Sequence, residues 1–292
     1  MKIVQGDKIN QAIGASHRGG VSIRQRLLDG PDGTLGNFSL LIARSPGRYS
    51  PRHRHNFEQF RLQLEGIANY GRTGKLKPGM IGYFPEGVHY GPQTQEEGDM
   101  LAVLVLQCGG SSGSGYTGRD AEHRVSDDMK SIGTFKDGVF YRNEGVPGKR
   151  NMDAFQAIWE HINQRPLVYP KPRYDVPILM HPDAYEWVPV EGQRGVSDKL
   201  LGVFTERRAS AAFYKIEPGA TFTAAGGRDI FFTLSGQGTV EGEPLRAVTT
   251  VYLDKGDRAR FAATEATELV HFHLPNLEGM EAQRSAVAHA AE

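Results

Sequence analysis

Two histidines stand one residue apart in the segment SPRHRHNFEQFRLQLEG, residues 50–66, and they are the clearest chemical signal in the chain. Residues two apart in a strand project from the same face, so His53 and His55 point together. Two imidazoles on one face make half of a nitrogen-rich metal site. A third, His89, follows a Pro-Glu-Gly turn. Together the three histidines predict a site for one divalent metal ion.

The residue that would complete this ligand set is one of two neighbours, Glu58 or Gln59. Gln59 keeps the strand parity of the histidines, whereas Glu58 points to the other face. Strand geometry therefore favours Gln59 as the fourth ligand. A turn after His55 would invert the parity and make Glu58 the ligand instead.

Further polar side chains could line the same cavity. Arg61 and Gln63 continue the parity of His53, and a guanidinium there could pair with a substrate carboxylate. A surface position for Arg61 is the alternative. An aromatic wall or a proton donor at the mouth of the cavity could come from Tyr83, His89 and Tyr90.

Nitrogen and oxygen ligands without a thiolate suit Fe(II), Mn(II), Ni(II), Co(II) or Zn(II). With a neutral Gln59 as the fourth ligand, the full charge of the ion stays uncompensated, and the site should favour an anionic oxygen donor such as an enolate, catecholate or carboxylate. Fe(II) with open coordination positions would activate O2. A metal without redox chemistry would polarise a carbonyl group instead.

Short apolar runs bounded by glycine and proline must position these residues, and they predict strands. In the first half these runs are NFSLLIAR, FRLQLEGIANY, MIGYF and MLAVLVLQ, and in the second half they are SAAFYKI, DIFFTLSG, AVTTVYL and TELVHFHL. One helix is predicted over residues 151–165, where apolar residues recur at helical spacing. The proline-rich segment after it is expected to be a connector.

The two halves share a pattern that indicates a duplicated β-unit. Gln59 stands seven positions before Gly66, and Asp229 stands seven positions before Gly236. The places that correspond to His53 and His55 hold Thr223 and Ala225, which cannot replace imidazoles. His271 and His273 form another same-face pair, which we expect to be hydrogen-bonded inside a barrel rather than to bind a metal.

These residues resemble the two motifs of the cupin superfamily in its two-domain, or bicupin, form. The first motif is matched by Gly47, His53, His55 and Gly66, with Gln59 at the metal-binding Glu position. The second motif is matched by Gly79, Pro85 and Gly87, with His89 one residue early and Gln93 at the Asn position.

The resemblance implies an all-β protein made of two jelly-roll (double-stranded β-helix) barrels with a short connecting helix. The expected boundaries are 1–110 for a first barrel with the metal site, 111–170 for a glycine-rich loop, helix and linker, and 171–280 for a degenerate second barrel. The resemblance also implies a homodimer. The complete set of predicted metal ligands is His53, His55, Gln59 and His89, with Glu58 as the alternative to Gln59. The predicted substrate contacts are Arg61, Gln63, Tyr83 and Gln93.

Composition limits the partners. The chain has 34 basic and 34 acidic residues without a basic block, which argues against nucleic acid or an anionic membrane surface. One cysteine excludes an internal disulfide, and no apolar segment has the length of a membrane span or signal peptide, so a cytoplasmic location is expected. The letters GSGYTG, residues 113–118, match a dinucleotide-binding fingerprint, but no apolar helix face follows them.

The expected function is a metal-dependent enzyme. We expect an Fe(II) dioxygenase that acts on a small anionic hydroxylated aromatic or β-dicarbonyl compound. A non-redox, metal-dependent isomerase, cyclase or lyase is the first alternative, and a non-catalytic small-molecule-binding protein is the second.

Overall fold

The computed structural model describes residues 1–15, 21–47 and 49–280, and most of the ordered elements in this range are β-strands. Nine of them precede residue 110: β1 (Lys2–Gln5), β2 (Ala12–Ala15), β3 (Val21–Asp29), β4 (Phe38–Ser45), β5 (Tyr49–Ser50), β6 (Phe57–Asn69), β7 (Lys75–Leu76), β8 (Ile81–Phe84) and β9 (Gln93–Gly109). Short 3-10 turns lie at Gly6–Lys8 and Gly71–Thr73.

The middle of the chain contains two helices and a small sheet. In order these elements are α1 (Arg119–Asp128), a 3-10 turn at Met129–Ser131, β10 (Gly133–Lys136), β11 (Val139–Arg142), β12 (Asn151–Asp153) and α2 (Ala154–Asn163). The predicted helix over residues 151–165 is therefore confirmed for residues 154–163, whereas residues 151–153 form β12. Asp153 caps the helix, accepting a hydrogen bond from the backbone N–H of Gln156 at 3.1 Å.

The last part of the described chain is again made of strands. They are β13 (Ile178–Met180), β14 (Val188–Pro189), β15 (Val196–Val203), β16 (Ser210–Ile216), β17 (Thr221–Ala225), β18 (Asp229–Ser235), β19 (Gly238–Val240), β20 (Glu243–Leu245), β21 (Thr249–Leu253), β22 (Arg258–Ala263) and β23 (Thr267–His273). A 3-10 turn lies at Pro182–Ala184.

Contacts divide the chain into two compact units. One is Gln11–Leu179, and the other combines Met1–Asn10 with the chain from Met180 onward. The first ten residues, predicted to belong to the first barrel, join the second unit because β1 pairs antiparallel with β21. The predicted boundaries at 110 and 170 do not separate units, since the helices and the small sheet belong to the first unit.

In the first unit, β6 and β9 are the long central strands of a nine-stranded sheet. Seven of its strands have the order β13-β8-β6-β9-β4-β3-β2, while β5 pairs with β9 and β7 pairs with β6. The pairing register of β6 with β9 shifts three times between Gln63 and Ala68, and such irregularities bend a strand pair. The interior is packed at one end by a cluster of apolar and aromatic side chains: Ala68, Tyr70, Leu76, Met80, Phe84, Tyr90 and Leu101.

Helix α2 packs against this barrel. Its Phe155 and Trp159 form one buried cluster with Phe57, Tyr116 and Leu167. Helix α1 was not predicted, because residues 119–128 are mostly charged. It is held by a second cluster, formed by few apolar residues on α1, α2 and the strands between them: Val125, Met129, Ile132, Phe135, Phe140, Met152, Ala157, Ile158 and Ile162.

The second unit consists of a seven-stranded sheet, β1-β21-β18-β23-β16-β15-β14, and a four-stranded sheet, β17-β22-β19-β20. Their facing apolar side chains form a core around Phe222, Phe231 and Phe261. In the described residues, no helix combines the length and the apolar character that a membrane crossing requires.

Candidate functional site

Both faces of β6 are buried, and they carry different chemistry. Gln59 and Arg61 point into the first barrel, where they contact each other through Nε and Nη2 of Arg61 and Oε1 of Gln59. Glu58 lies on the opposite face and contacts the backbone of Ser111. This is the arrangement that strand parity predicts, with Gln59 inside and Glu58 pointing away.

His53 and His55 lie next to each other in the interior, with ring centroids 4.9 Å apart. The Nδ1 atom of His53 is 2.6 Å from the carbonyl oxygen of Pro51. The ring of His55 lies against Phe57 at 4.5 Å and Phe155 of α2 at 4.8 Å. His55 is therefore packed between an aromatic side chain of β6 and one of α2.

His89 does not join this pair, so it is not placed as the predicted third ligand. The backbones of His53 and Tyr90 exchange two hydrogen bonds of 3.1 and 3.0 Å. Residues directly opposite in such a pair have side chains on the same face, so Tyr90 faces inward with His53. His89 consequently points outward and is exposed, whereas Tyr90 is 2% exposed.

Arg61 is the centre of the interior network. Its Nη1 donates to the hydroxyl of Tyr70 and to Oε1 of Gln93, each at 3.0 Å. Its Nη2 donates to the hydroxyl of Tyr90 at 3.0 Å and to Oε1 of Gln59 at 2.6 Å, and its Nε donates to the same Gln59 oxygen at 3.0 Å. Arg61 is buried rather than on the surface.

The charge of Arg61 has no anionic partner in this network. Arg61 is 5% exposed, and its hydrogen-bond partners among the described residues, two glutamines and two tyrosines, are neutral. Burial alone would lower its pKa, but the phenol oxygens of Tyr70 and Tyr90 outweigh this effect and raise it. Arg61 therefore stays charged, and burying an unpaired cation costs several kcal/mol.

Hydrogen bonding to Gln59 assigns the proton of His55. The guanidinium of Arg61 can only donate, so the Gln59 atom that it contacts is the amide oxygen. The amide nitrogen of Gln59 then faces Nδ1 of His55 at 2.9 Å and donates to it. Because Nδ1 accepts, the ring proton of neutral His55 is on Nε2.

His53 has the opposite tautomer. A carbonyl oxygen can only accept, so Nδ1 of His53 donates its proton to Pro51. In neutral His53 the lone pair is then on Nε2. One ring of the pair thus has an Nε2–H donor, and the other has an Nε2 acceptor.

The predicted metal site does not fit this network. A metal bound by Gln59 needs the amide oxygen that Arg61 holds with two hydrogen bonds. A metal bound through Nε2 of His55 needs a lone pair where the network places a proton. The fixed charge of Arg61 would also repel a second cation nearby. Within the described residues, no group of three or more His, Cys, Asp or Glu side chains is arranged to hold a metal ion.

Glu58, the alternative ligand, belongs to a separate polar cluster behind β6. Its Oε1 accepts from the backbone N–H of Ser111 at 2.8 Å, and its Oε2 has no hydrogen-bond partner in the described structure. Glu86 nearby is paired with Arg173 at 2.6 Å. Burial raises the pKa of Glu58 to about 7, and the negative charge of Glu86 adds to this effect, against the opposing hydrogen bond from Ser111.

Two other predicted contacts also lie outside the interior network. Tyr83 is on the Glu58 face, with its ring 5.0 Å from Phe60 and 6.0 Å from Tyr174, because it pairs with Phe60 across the strands. The amide of Gln63 donates to the backbone carbonyl of Glu65 at 2.7 Å, at the first register shift of β6.

The second barrel holds a different polar group. Oδ1 of Asp229 accepts from Nε2 of His271 at 2.7 Å and from Nδ1 of His273 at 2.8 Å. Its Oδ2 accepts from the backbone N–H of Gly227 at 2.5 Å. His271 and His273 are thus hydrogen-bonded inside the barrel, as expected, and the shared partner is Asp229.

Sequence reasoning missed one member of the network, Tyr70, and it placed Tyr90 at the mouth of the cavity rather than in contact with Arg61. A signal for Tyr90 was present, since His89 falls one residue too early for the second motif and Tyr90 stands at the motif's position. No comparable signal marks Tyr70, whose place depends on the bend of β6.

Comparison with known proteins identifies the fold. No protein-family model matches the sequence, and no curated protein does. Among solved structures, a provisionally assigned dioxygenase of Nostoc punctiforme is similar with a TM-score of 0.65 at 11% identity, over 94% of this chain and 83% of that one. Oxalate decarboxylase of Bacillus subtilis has a TM-score of 0.54 at 13% identity, over 94% and 76%.

A protein of Geobacillus kaustophilus is also similar, with a TM-score of 0.51 at 11% identity, over 94% of this chain and 98% of that one. Similarity at these identities concerns the fold and not the chemistry. Both barrels of the chain therefore have the jelly-roll architecture that the sequence motifs predict.

Proposed function

We propose that this chain, whose two units have the cupin jelly-roll fold, binds a small organic anion in its first barrel and transfers a proton on it. The observation that carries the proposal is the buried charge of Arg61, which has only neutral partners. An uncompensated buried cation is not expected for stability alone, because burying an unpaired charge destabilises the folded protein. A carboxylate or enolate of a ligand would supply the missing charge.

Proton transfer is the chemistry that the neighbouring side chains can perform. His53 offers an acceptor nitrogen, His55 offers a donor nitrogen, and the hydroxyl of Tyr90 lies 3.1 Å from Nδ1 of His55. An acid and a base side by side suit the removal of a proton at one atom of a substrate and its return at another. Arg61 would hold the anionic oxygen where negative charge develops. The reaction class is a non-redox isomerisation or lyase reaction.

Basic side chains next to the histidines in the sequence also favour an anionic ligand. Arg52 and Arg54 lie close enough to His89 to lower its pKa, after the larger effect of its partial burial. Arg54 stacks over the ring of Tyr169 at 3.9 Å, beside the cluster that covers His55. Basic groups close to a binding site raise the local concentration of anions.

The metal-dependent dioxygenase expected from the sequence remains a prediction. For a metal to bind through Gln59, the amide would have to turn its oxygen away from Arg61, and Arg61 would lose two hydrogen bonds. Elemental analysis of untagged protein, with the His53→Ala variant beside it, tests this prediction. Stoichiometric metal in the parent protein, lost in the variant, would favour the metal-dependent enzyme.

Calorimetric titration tests the proposed function. The probes are β-keto acids, hydroxybenzoates and short dicarboxylates, each beside its neutral amide. We expect the protein to bind at least one acid more than about tenfold more tightly than its amide, a preference of about 1.4 kcal/mol. When the protein is incubated with that acid in D2O, deuterium should enter the acid, as measured by mass spectrometry. No O2 should be consumed.

Two variants show where the anion binds. Arg61→Met should abolish the preference for the acid, whereas Arg72→Met, at an exposed arginine of the same barrel, should retain it. Circular dichroism and thermal unfolding establish that both variants fold, and Arg61→Lys, which keeps the charge, should retain part of the preference. Equal binding of acid and amide by the parent protein, or O2 uptake with the acid, would overturn the proposal.

A further inference from the structure

The Gln59 amide joins the two chemistries of the first barrel. On one side its oxygen accepts two hydrogen bonds from Arg61, and on the other its nitrogen donates to Nδ1 of His55. All of these groups are buried. The direction of every bond follows from Arg61, because a guanidinium has donors only. Gln59 therefore transmits the orientation set by Arg61 to the ring of His55.

We propose that Gln59 is the positioning residue that keeps His53 and His55 in opposite tautomers. Pro51 fixes the proton of His53 on Nδ1, and Gln59 fixes the proton of His55 on Nε2. The Tyr90 hydroxyl also lies 3.1 Å from Nδ1 of His55, and a hydroxyl can either donate or accept. The amide removes this ambiguity, since its nitrogen can only donate.

The choice of an amide over a carboxylate follows from this role. A carboxylate at position 59 would have only acceptor atoms and would draw the proton of His55 to Nδ1. Both histidines would then have their lone pairs on Nε2, which is the state that a metal ion requires. The same carboxylate would neutralise Arg61 and remove the attraction for an anionic ligand. Gln59 thus selects acid–base chemistry on an anion over metal binding.

This inference rests on the proposed function only for the use made of the two tautomers, and it can be tested without any ligand. Nitrogen-15 NMR distinguishes protonated from unprotonated ring nitrogens, and His53→Gln and His55→Gln variants assign the two rings. In the parent protein we expect His53 to have its proton on Nδ1 and His55 to have its proton on Nε2. The same tautomer in both rings would overturn the inference.

The Gln59→Glu variant provides the decisive comparison. Its His55 proton should move to Nδ1, and the signals of His53 should not change. Gln93→Glu is the matched control, because Gln93 also accepts from Arg61 at 3.0 Å and its recorded contact is with Arg61 rather than with His55. The control should leave the tautomer of His55 unchanged. A shift of His55 in both variants would show that the charge of Arg61, and not the contact with Gln59, sets the tautomer.

Cobalt binding gives a second readout that a purely structural role would not change. Co(II), followed by its visible absorption, should bind the double variant Gln59→Glu with Arg61→Met at least about tenfold more tightly than the parent, because three ligands become available without a competing cation. Equal Co(II) affinity in both proteins would contradict the inference. If Gln59→Glu does not fold, Gln59→Leu serves instead, and it should give His55 as a mixture of tautomers rather than one. If the parent protein has the stated tautomers but binds no anion, this result would count against the proposed function alone.

Discussion

Gln59 in the first barrel and Asp229 in the second occupy the same place in the repeat, seven residues before Gly66 and Gly236. Gln59 contacts His55, whereas Asp229 contacts both His271 and His273, and these histidines come from different parts of the two barrels. In the first barrel they precede β6, and in the second they lie on the last strand, where Asp229 pairs with His273. The position that pairs with Gln59 in the first barrel is Gln107.

The buried charged group also differs between the two barrels. Arg61 follows Gln59 by two residues, and at the equivalent place the second barrel has Phe231, which stacks on His271 at 4.5 Å. The second barrel therefore contains a buried carboxylate that two imidazoles satisfy. Burial raises the pKa of Asp229, but the hydrogen bonds from His271 and His273 outweigh it and hold the pKa well below its ordinary range. In the second barrel, hydrogen bonds from two imidazoles compensate the buried charge. In the first barrel, the charge of Arg61 could be compensated by a bound anion.

The first prediction from this comparison concerns ligand-dependent stability. An anionic ligand at 100 times its Kd should stabilise the parent protein by about 2.7 kcal/mol, since it binds only the folded state. The Arg61→Phe variant, which introduces the residue type of the second barrel, should gain nothing from the same ligand. Urea unfolding with and without ligand measures both values. Asp229→Asn should keep the full ligand-dependent gain, and its loss there would show that the anion binds in the second barrel.

The second prediction concerns Asp229, the buried carboxylate of the second barrel. Asp229→Asn should destabilise the protein by about 2 kcal/mol at pH 7, because the amide nitrogen opposes the N–H of Gly227 or of a histidine. A lowered folded-state pKa contributes stability above the unfolded value near 4, and this contribution is lost as the pH falls. The difference between the variant and the parent should therefore shrink below pH 4.

Urea unfolding at several pH values measures this difference. Asp183→Asn is the control, since Asp183 is exposed in the same unit. A difference that stays constant from pH 7 to acid would show that the charge of Asp229 contributes nothing.

A third prediction tests the face behind Gln59. The pKa of buried Glu58 is raised to about 7, so folding favours its protonated form. Stability should fall as the pH rises from the unfolded value near 4.5 to about 7, by up to about 3 kcal/mol. Glu58→Gln keeps an acceptor for Ser111 but cannot ionise, so it should be more stable than the parent at pH 8 and equal to it at pH 4.

The corresponding residue of the second barrel is Arg228, whose Nη1 donates to the carbonyl of Pro275, so no buried acid precedes Asp229. The exposed Glu144→Gln is the control for the pH profile, and its profile should match that of the parent. Parallel curves for Glu58→Gln and the parent would place the Glu58 pKa near its ordinary value.

Much of the fold could be predicted because apolar runs between glycines and prolines mark strands wherever packing is regular. DIFFTLSG became β18, and SAAFYKI became β16 over its whole length. Helix α1 could not be predicted, because tertiary contacts from α2 and β11 hold a segment that has little apolar periodicity of its own. Strand β1 joins the second unit through pairing partners more than 200 positions away, which no local pattern reveals.

In the site, strand parity gave the correct face for Gln59 and Arg61. It could not give the face of His89, which lies beyond a turn. Gln59 and Arg61 lie on β6 with the histidines just before it, so alternation placed them correctly. Gly87 turns the chain with a φ of +77°, and an added Cβ there would lie 2.4 Å from the carbonyl oxygen of Pro170. This turn fixes the register in which Tyr90 pairs with His53. That Arg61 takes the centre could not be read from spacing, because spacing gives a face and not a partner.

The smallest expected effect belongs to His89, and it tests that register directly. His89 is exposed, so His89→Ala should change the free energy of unfolding by less than about 0.5 kcal/mol and leave anion affinity unchanged. His53→Ala should weaken binding, because it removes the acceptor nitrogen beside His55. Calorimetry of both variants with the same acid makes the comparison. If His89→Ala weakens binding as much as His53→Ala does, His89 turns inward in solution, and the three-histidine metal site of the sequence would regain its third ligand.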